Sequence, residues 1–240
     1  PHSAAAQTRL PENEQSGFRQ NEAGGLQQHP NRTPAPNQAA ARPAPPPQGH
    51  RADVLAAIAA VPRHLFVEEA LASRAYEDSA LPLGFSQTIS QPFIVARMIE
   101  ILMRGRELGK TLEIGAGSGY QAAVLAQLTP EVYAVERIAP LLARARLNLR
   151  KIQQFRVRLK HADGQQGLPE AAPFDTIIVS AAASELPHAL LQQLALNGRI
   201  LLPFGTERQT LRLFERRAEN IAEIRVDSLV NFVPLLSGLE

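Results

Sequence analysis

Residues 112–120, Leu-Glu-Ile-Gly-Ala-Gly-Ser-Gly-Tyr, are the stretch that decides the fold class of this 240-residue chain. They overlap a predicted strand at 111–114 and open a predicted helix at 120–128. Glycines at such a strand-to-helix turn let the backbone approach a bound ligand closely. The dinucleotide pattern G-x-G-x-x-G would place its third glycine at Tyr120, so the stretch departs from that pattern and follows E-x-G-x-G-x-G. The stretch therefore predicts a nucleotide-like cofactor, although it does not match the dinucleotide-binding pattern.

Carboxylates at fixed positions around the glycines make the prediction more specific. The spacing of Glu113 and Gly115 resembles that of S-adenosylmethionine-dependent methyltransferases. Glu136 ends the next predicted strand, 132–136, where a carboxylate can accept hydrogen bonds from both ribose hydroxyls. An acidic side chain just past the third strand can meet the adenine amino group, although such a residue is more often part of a turn. The expected cofactor-binding residues are Glu113, Gly115, Gly117, Gly119, Glu136, Asp163 and Gly164.

Strands and helices alternate through the middle of the chain. After the glycine loop we predict a helix at 140–152, strands at 155–161 and 174–180, a helix at 186–196 closed by Asn197-Gly198, and a strand at 199–204. Strands at 210–217, 221–226 and 231–235 follow with no helix between them. The pattern predicts an α/β fold: a doubly wound, mostly parallel, Rossmann-like sheet with helices on both faces and an antiparallel edge.

The segment before the glycine loop is predicted to be helical at both ends. A helix begins at Asp53, which is a plausible N-cap, and ends before Pro62. Residues 78–90 are predicted to be irregular, because Pro82 and Gly84 interrupt them. A helix at 91–103 follows, with Ser90 as its N-cap.

Composition divides the chain into a tail and one domain. Residues 1–50 hold nine of the 19 prolines, no Ile and no Val. We predict a disordered Pro/Gln/Ala-rich tail over 1–50 and a methyltransferase domain over 51–240. Within that domain, 51–110 supplies the N-terminal helices and substrate loop, 111–205 the cofactor-binding core and 206–240 the C-terminal strands.

Charge and residue counts exclude several classes of protein. The chain has no Cys, which excludes thiolate metal sites and a cysteine nucleophile. Its six His are scattered without metal-ligand spacing, so no metal is expected. The net charge of +2 and the absence of Trp do not favour nucleic-acid binding. No apolar run is long enough to span a membrane. The expected location is the cytoplasm. A monomer is also expected, independently of these counts.

Five motifs follow one another along the chain: Val-Pro-Arg-His-Leu-Phe-Val (61–67), Gln-Thr-Ile-Ser-Gln-Pro (87–92), the glycine stretch (112–121), residues 175–183 and Phe-Val-Pro-Leu (232–235). With these motifs in order, the chain resembles the protein-L-isoaspartate O-methyltransferase family from about residue 54 to 235. The Thr-Ile-Ser-x-Pro segment, about 25 residues before the glycine loop, is the most specific of the motifs.

The resemblance implies transfer of a methyl group from S-adenosyl-L-methionine to the α-carboxylate of an L-isoaspartyl residue in a damaged peptide or protein. The products would be S-adenosyl-L-homocysteine and a methyl ester, which collapses to a succinimide and begins repair. Ser90 matches the family's active-site serine and would orient the substrate carboxylate; the alternative is that it only caps a helix. Thr88, Ile89, Phe232 and Pro234 would also contact substrate.

Two departures from the family leave other functions open. The family usually has His-Gly or Gln-Gly where this chain has Phe85-Ser86, and its first helix is expected near residues 30–50, inside the proline-rich tail. One alternative is a methyltransferase of the same fold that acts on another carboxylate, a small molecule or RNA. The other is a noncatalytic binding protein that keeps the fold.

Overall fold

The computed structural model describes residues 51–218 and 220–240. The tail predicted over residues 1–50 lies outside this range. In the described part, a seven-stranded sheet has the order β5-β4-β3-β6-β7-β8-β9. The strands are β3 (Thr111–Ile114), β4 (Val132–Glu136), β5 (Val157–His161), β6 (Phe174–Val179), β7 (Leu194–Phe204), β8 (Gln209–Arg216) and β9 (Ile221–Val230).

The direction of the strands confirms the predicted fold class. The five strands from β3 to β7 pair in parallel, while β8 pairs antiparallel with β7, and β9 with β8. The chain runs outward from β3 to β5 and then returns to start again at β6, on the other side of β3. A ligand crevice is expected at such a point of reversal, outside the carboxyl ends of the strands.

Helices cover both faces of this sheet. The helices are α1 (Ala52–Ala60), α2 (Pro92–Leu102), α3 (Tyr120–Leu128), α4 (Ala139–Lys151) and the short α5 (His188–Gln192). Ile178 of β6 lies in a core cluster with residues of α1 to α4. Its neighbours Ile177 and Val179 point to the other face and lie in a second cluster with Leu190 of α5. This alternation along one strand is the reason that the sheet is buried on both sides.

The predicted helix at 186–196 is wrong beyond Gln192. Helix α5 ends there, and Leu194 already pairs with Phe174 at the start of β7. Asn197 has a φ of +62° and interrupts the register of β6 and β7. A Cβ at Gly198 would lie 2.8 Å from the Ala195 carbonyl oxygen. Asn197-Gly198 therefore forms an irregularity within a strand, where the sequence pattern indicates a helix end.

The predicted strand at 231–235 is also wrong. Strand β9 continues to Val230, past its predicted end at Val226, and Pro234 then forms only an isolated bridge with Ala182. The side chain of Gln209 holds the backbone of Phe232: its Oε1 accepts from the Phe232 nitrogen at 2.7 Å, and its Nε2 donates to the Phe232 oxygen at 3.0 Å. A side chain thus replaces the neighbouring strand that a regular ladder would need.

Residues 81–89, predicted to be irregular, form a β-hairpin. Strands β1 (Leu81–Gly84) and β2 (Gln87–Ile89) pair antiparallel, with Phe85 and Ser86 at the tip, where φ is +53° and +54°. A two-residue tip with positive φ at both positions matches the twist of a hairpin. Pro82 is tolerated because β1 has a neighbour on one side only.

Candidate functional site

A cavity opens at the carboxyl ends of β3 and β6, where the strand order reverses. Its walls come from the glycine loop, the hairpin strand β2 with Ser90, the ends of β4 and β6, and the segment 232–236. The residues that line it include Gln87–Ser90, Glu113–Ser118, Tyr120, Gln121, Val135–Ile138, Gly164, Ser180, Ala181 and Phe232–Leu236. One cavity therefore gathers most of the residues that the sequence assigns to cofactor and substrate.

The glycine loop takes a backbone conformation that other residues rarely adopt. Gly115, Gly117 and Gly119 have φ values of +84°, +55° and +88°. Gly119 precedes α3, and a Cβ there would lie 3.2 Å from the Cβ of Ala145 in α4. The left-handed backbone therefore favours glycine at all three positions, and Gly119 is also closely packed against α4.

Glu136 is fixed at the rim of the glycine loop. Its side chain is 6% exposed, its Oε2 accepts from the Gly117 nitrogen at 2.8 Å, and its Oε1 accepts from the Ile138 nitrogen at 2.9 Å. Each carboxylate oxygen has a second lone pair, so both can still accept a hydrogen bond from a ligand. The carboxylate is held in place before a ligand arrives.

Glu113 is the most deeply buried acid of the cavity. Gln121 donates from Nε2 to Glu113 Oε1 at 3.0 Å, while Glu113 Oε2 is buried and has no partner among the described residues. Burial raises the pKa of the Glu113 carboxyl well above its usual range; the Gln121 hydrogen bond opposes this shift, and the Glu136 carboxylate adds to it. An unpartnered, desolvated carboxyl of this kind is suited to a cationic ligand group.

Asp163 and Gly164 both follow β5, but only Gly164 is among the residues that line the cavity. The two Asp163 carboxylate oxygens accept from the Gln165 nitrogen at 2.8 Å and the Gly238 nitrogen at 2.7 Å. Gly164 lines the cavity, and a Cβ there would lie 2.6 Å from Ile114 Cγ2. Glycine is therefore needed at 164 for close packing against Ile114 of β3, while Asp163 braces the turn behind it.

Ser90 lies in the cavity and does not cap α2. The N-cap residue of α2 is Gln91, and the Gln91 side chain makes no capping hydrogen bond. Asp78 takes that role from another loop: its Oδ1 accepts from the Phe93 nitrogen at 2.9 Å, and its Oδ2 accepts from Gln91 Nε2 at 3.0 Å. The cap prediction for Ser90 is wrong, because a distant carboxylate already satisfies the helix end. The Ser90 hydroxyl makes no hydrogen bond with any part of the chain that the structure describes, and it lines the cavity.

The prediction that Asp53 caps α1 is wrong as well. Arg51 is the N-cap residue, and Asp53 lies in the first turn, where its carboxylate pairs with the Arg51 guanidinium at 2.7 Å. A negative charge in the first turn still interacts favourably with the helix dipole.

The other expected substrate residues form two walls. Thr88 is exposed, and Ile89 is 4% exposed; both line the cavity from β2. On the other wall, the Ala182 nitrogen donates to the Val233 oxygen and the Leu235 nitrogen donates to the Ala182 oxygen, both at 2.7 Å. These bonds hold Phe232 and Pro234 against the end of β6.

Two residues of the site were missed by the sequence reasoning. Ser180 and Gln121 both line the cavity, and Gln121 Nε2 donates to Ser180 Oγ at 2.8 Å. Ser180 directly follows β6. The predicted order of strands could have identified this position, at the carboxyl end of a strand, as part of the site. Gln121 carries no such signal, because its contacts with Glu113 and Ser180 join three separate elements.

Comparison with known proteins identifies the family of this chain. The family model described as protein-L-isoaspartate(D-aspartate) O-methyltransferase matches residues 48–240. The chain belongs to this family. A Dechloromonas aromatica protein named protein-L-isoaspartate O-methyltransferase is 68% identical over 188 residues, 78% of this chain and 87% of that protein. A relative of the same name from Aromatoleum aromaticum is 60% identical and covers 78% of this chain and 85% of its own length.

Solved structures of the family agree with the fold. A protein-L-isoaspartate O-methyltransferase structure matches with a TM-score of 0.72 and 27% identity, covering 80% of this chain and 63% of its own. A Plasmodium falciparum structure, described as the same enzyme in complex with S-adenosyl-L-homocysteine, matches with a TM-score of 0.68 and 25% identity, covering 78% of this chain and 91% of its own. The family resemblance seen in the sequence motifs is thereby confirmed.

The residues of the cavity fit S-adenosylmethionine, the cofactor of such methyltransferases. Glu136 offers two oriented acceptors for ribose hydroxyls, and Glu113 offers an orphaned buried oxygen for a cationic group. The left-handed glycine loop leaves room for the ligand to lie against backbone. Among residues 51–218 and 220–240 there is no group of three or more His, Cys, Asp or Glu side chains that could hold a metal ion. The same residues contain no helix that could cross a bilayer.

The departure at Phe85-Ser86 lies at the hairpin tip. Phe85 is 48% exposed, and neither residue lines the cavity. The hairpin is nevertheless tied to the domain, because Leu81, Leu83 and Ile89 are buried in the core. The substitution therefore changes the surface of the hairpin and the strain of its turn, while strand β2 keeps its place at the cavity.

Proposed function

We propose that this protein transfers the methyl group of S-adenosylmethionine to the α-carboxylate of L-isoaspartyl residues in peptides and proteins. The observation that carries the proposal is the position of Ser90. Its hydroxyl has no partner among the described residues and shares one cavity with the glycine loop of a chain that belongs to the isoaspartate methyltransferase family. Isoaspartyl peptides and proteins are then the substrates that must enter this cavity.

The proposed reaction requires little acid–base chemistry from the protein. When bound, S-adenosylmethionine supplies a methyl group made electrophilic by its sulfonium. A carboxylate oxygen of the isoaspartyl residue forms a bond to the methyl carbon as the carbon–sulfur bond breaks, and that electron pair stays on sulfur. No proton is transferred, because a carboxyl with a pKa of about 3.9 is already ionised at neutral pH.

Orientation and desolvation are therefore the protein's main contributions. Holding two reactants in line can supply roughly 7–11 kcal/mol of a barrier in favourable cases. The Ser90 hydroxyl would donate a hydrogen bond to the substrate carboxylate and set its direction. Thr88 and Ile89 would meet the peptide on one wall, and Phe232 and Pro234 on the other.

For the cofactor, the proposal assigns roles by chemistry. Glu136 would accept both ribose hydroxyls, and Glu113 would face the ammonium of the methionyl part. Gly115, Gly117 and Gly119 would let the backbone approach the ligand, while Asp163 and Gly164 would lie at the adenine end. A monomer without nucleic-acid partners, placed in the cytoplasm, stays a prediction from the sequence.

Two peptides identical except for L-isoaspartate or L-aspartate at one position test the proposal directly. Each is incubated with the protein and S-adenosylmethionine labelled in its methyl group. Label in the isoaspartyl peptide alone, released by mild base as expected for an ester, supports the proposed function. Equal labelling of both peptides, or of neither while cofactor binding is intact, would refute it.

A further inference from the structure

Ser180 occupies the point at which the strand order reverses. It follows the last residue of β6, and its nitrogen donates to the Ile114 oxygen of β3 at 2.8 Å. A Cβ built on Gly115 would lie 3.7 Å from the Ser180 Cβ. Ligands of open α/β sheets bind in the crevice at this reversal. Ser180 thus places a second hydroxyl in the cavity that Ser90 lines, beside the glycine loop.

The hydrogen bonds around Ser180 determine what its hydroxyl can still do. Gln121 Nε2 donates to Ser180 Oγ at 2.8 Å, so one acceptor position of the hydroxyl is occupied. A hydroxyl has one hydrogen to donate, and no described residue accepts it from Ser180. That hydrogen remains available to a ligand in the cavity.

Gln121 is itself held from behind. It is 6% exposed, and the same Nε2 donates to Glu113 Oε1 at 3.0 Å. Both hydrogens of the amide are therefore used, one on a buried carboxyl and one on the serine. Gln121 acts as a positioning residue, because it fixes the Ser180 oxygen through a contact that does not involve the substrate.

We propose that Ser180 is a second substrate-binding hydroxyl, which donates a hydrogen bond to the isoaspartyl carboxylate together with Ser90. The assignment rests on the proposed function and adds a residue to it. A carboxylate has about four lone-pair positions, so it can accept from both serines and keep one lone pair for attack on the methyl carbon. Donors from two separate segments, the residue after β6 and the residue after β2, fix the orientation of the carboxylate more fully than one donor does.

Binding of the isoaspartyl peptide to the S-adenosylhomocysteine-loaded protein, measured by calorimetry, tests the assignment apart from turnover. Ser180→Ala should weaken peptide binding about ten- to hundredfold, the usual effect of losing a hydrogen bond to a charged group, and lower kcat/KM by a similar factor. The Kd for S-adenosylhomocysteine should stay within about twofold. Ser180→Thr, which keeps the hydroxyl, should restore most of the peptide affinity.

Two further variants make the reasoning specific. Ser184→Ala is the matched control, because Ser184 is exposed on the same loop and does not line the cavity. It should leave both dissociation constants unchanged. The combined Ser90→Ala and Ser180→Ala protein should lose less than the product of the two single losses, since both hydroxyls act on one carboxylate.

The outcomes separate this assignment from the proposed function. If the unaltered protein binds isoaspartyl and aspartyl peptides equally, the proposed function fails and the assignment fails with it. If its preference is clear and persists in full in Ser180→Ala, only the assignment is overturned. If Ser180→Ala weakens S-adenosylhomocysteine as much as the peptide, the hydroxyl serves the cofactor, which also overturns it.

Discussion

Replacement of Glu136 by Gln tests the ribose assignment with almost no change in shape. The Glu136 carboxylate accepts from two backbone nitrogens, those of Gly117 and Ile138, and is 6% exposed. An amide has one acceptor oxygen, and its other end is a donor. In Glu136→Gln one of these buried N–H groups therefore loses its acceptor and faces an N–H of the new side chain.

The two consequences have different magnitudes. An unsatisfied buried donor costs about 1–3 kcal/mol, so the free energy of unfolding of the cofactor-free protein should fall by that amount. Toward the cofactor, the variant loses one charged hydrogen bond to a ribose hydroxyl and turns the other into a neutral one. With charged bonds at about 1.5–3 kcal/mol and neutral ones near 1, the loss is about 2–5 kcal/mol. The Kd should then rise by roughly 30- to 4,000-fold.

Calorimetric titration with S-adenosylhomocysteine is the suitable assay, because this ligand lacks the sulfonium charge and so reports the hydroxyl contacts. Urea unfolding of the cofactor-free variant measures the stability part separately. The matched control is Glu131→Gln, since Glu131 precedes the same strand, has a 42% exposed side chain and pairs with Arg158 at 3.1 Å. The control should bind within about twofold of the unaltered protein. A similarly small change in Glu136→Gln, with the expected loss of stability, would refute the ribose assignment.

Four other substitutions have expected outcomes. Ser90→Ala should lower turnover at least tenfold with little change in cofactor Kd, and equal losses in both would make Ser90 structural. Because burial raises the pKa of Glu113, the folded protein binds more protons than the unfolded chain above about pH 4.3, and stability falls as pH rises toward the folded pKa. Glu113→Gln should lack this fall, so a difference in thermal midpoint that does not grow with pH contradicts the reasoning. Asp78→Ala removes the acceptor of the Phe93 nitrogen and should cost about 1 kcal/mol in urea unfolding; no loss would mean that water replaces the cap. Ser86→Gly should add about 1 kcal/mol, since Ser86 has a φ of +54°, and a loss in the same assay would show that the serine side chain stabilises the hairpin.

Where local pattern and tertiary packing favour the same structure, the sequence alone was sufficient to predict the element and its bounds. The strand at 111–114, the glycine loop and the helix at 120–128 are found with the predicted bounds. Their apolar residues, loop glycines and helix formers all favour the same local structure, so tertiary contacts had nothing to reverse. The alternation of strands and helices after the loop gave the parallel sheet for the same reason.

Long-range contacts account for the elements that the sequence did not predict. Asn197-Gly198 is typical of a helix end, yet pairing with β6 draws Leu194 into a strand. Residues 231–235 look like a strand, but the Gln209 side chain and Ala182 take their backbone hydrogen bonds instead. In both cases, the deciding partner lies far away in the chain, where local propensity carries no information.

The sequence by itself determined the fold class, the family and the residue types of the cavity, because spacing along a strand–loop–helix unit fixes where glycines and carboxylates lie relative to one another. Only the tertiary structure decided which hydroxyls remain free. Ser90 is released from helix capping by Asp78, 12 residues earlier in the chain, and Ser180 is fixed by Gln121 from another helix. Hydrogen-bond partners are a property of three-dimensional contact, and each donor that the fold leaves unpaired at a cavity is one that a ligand can use.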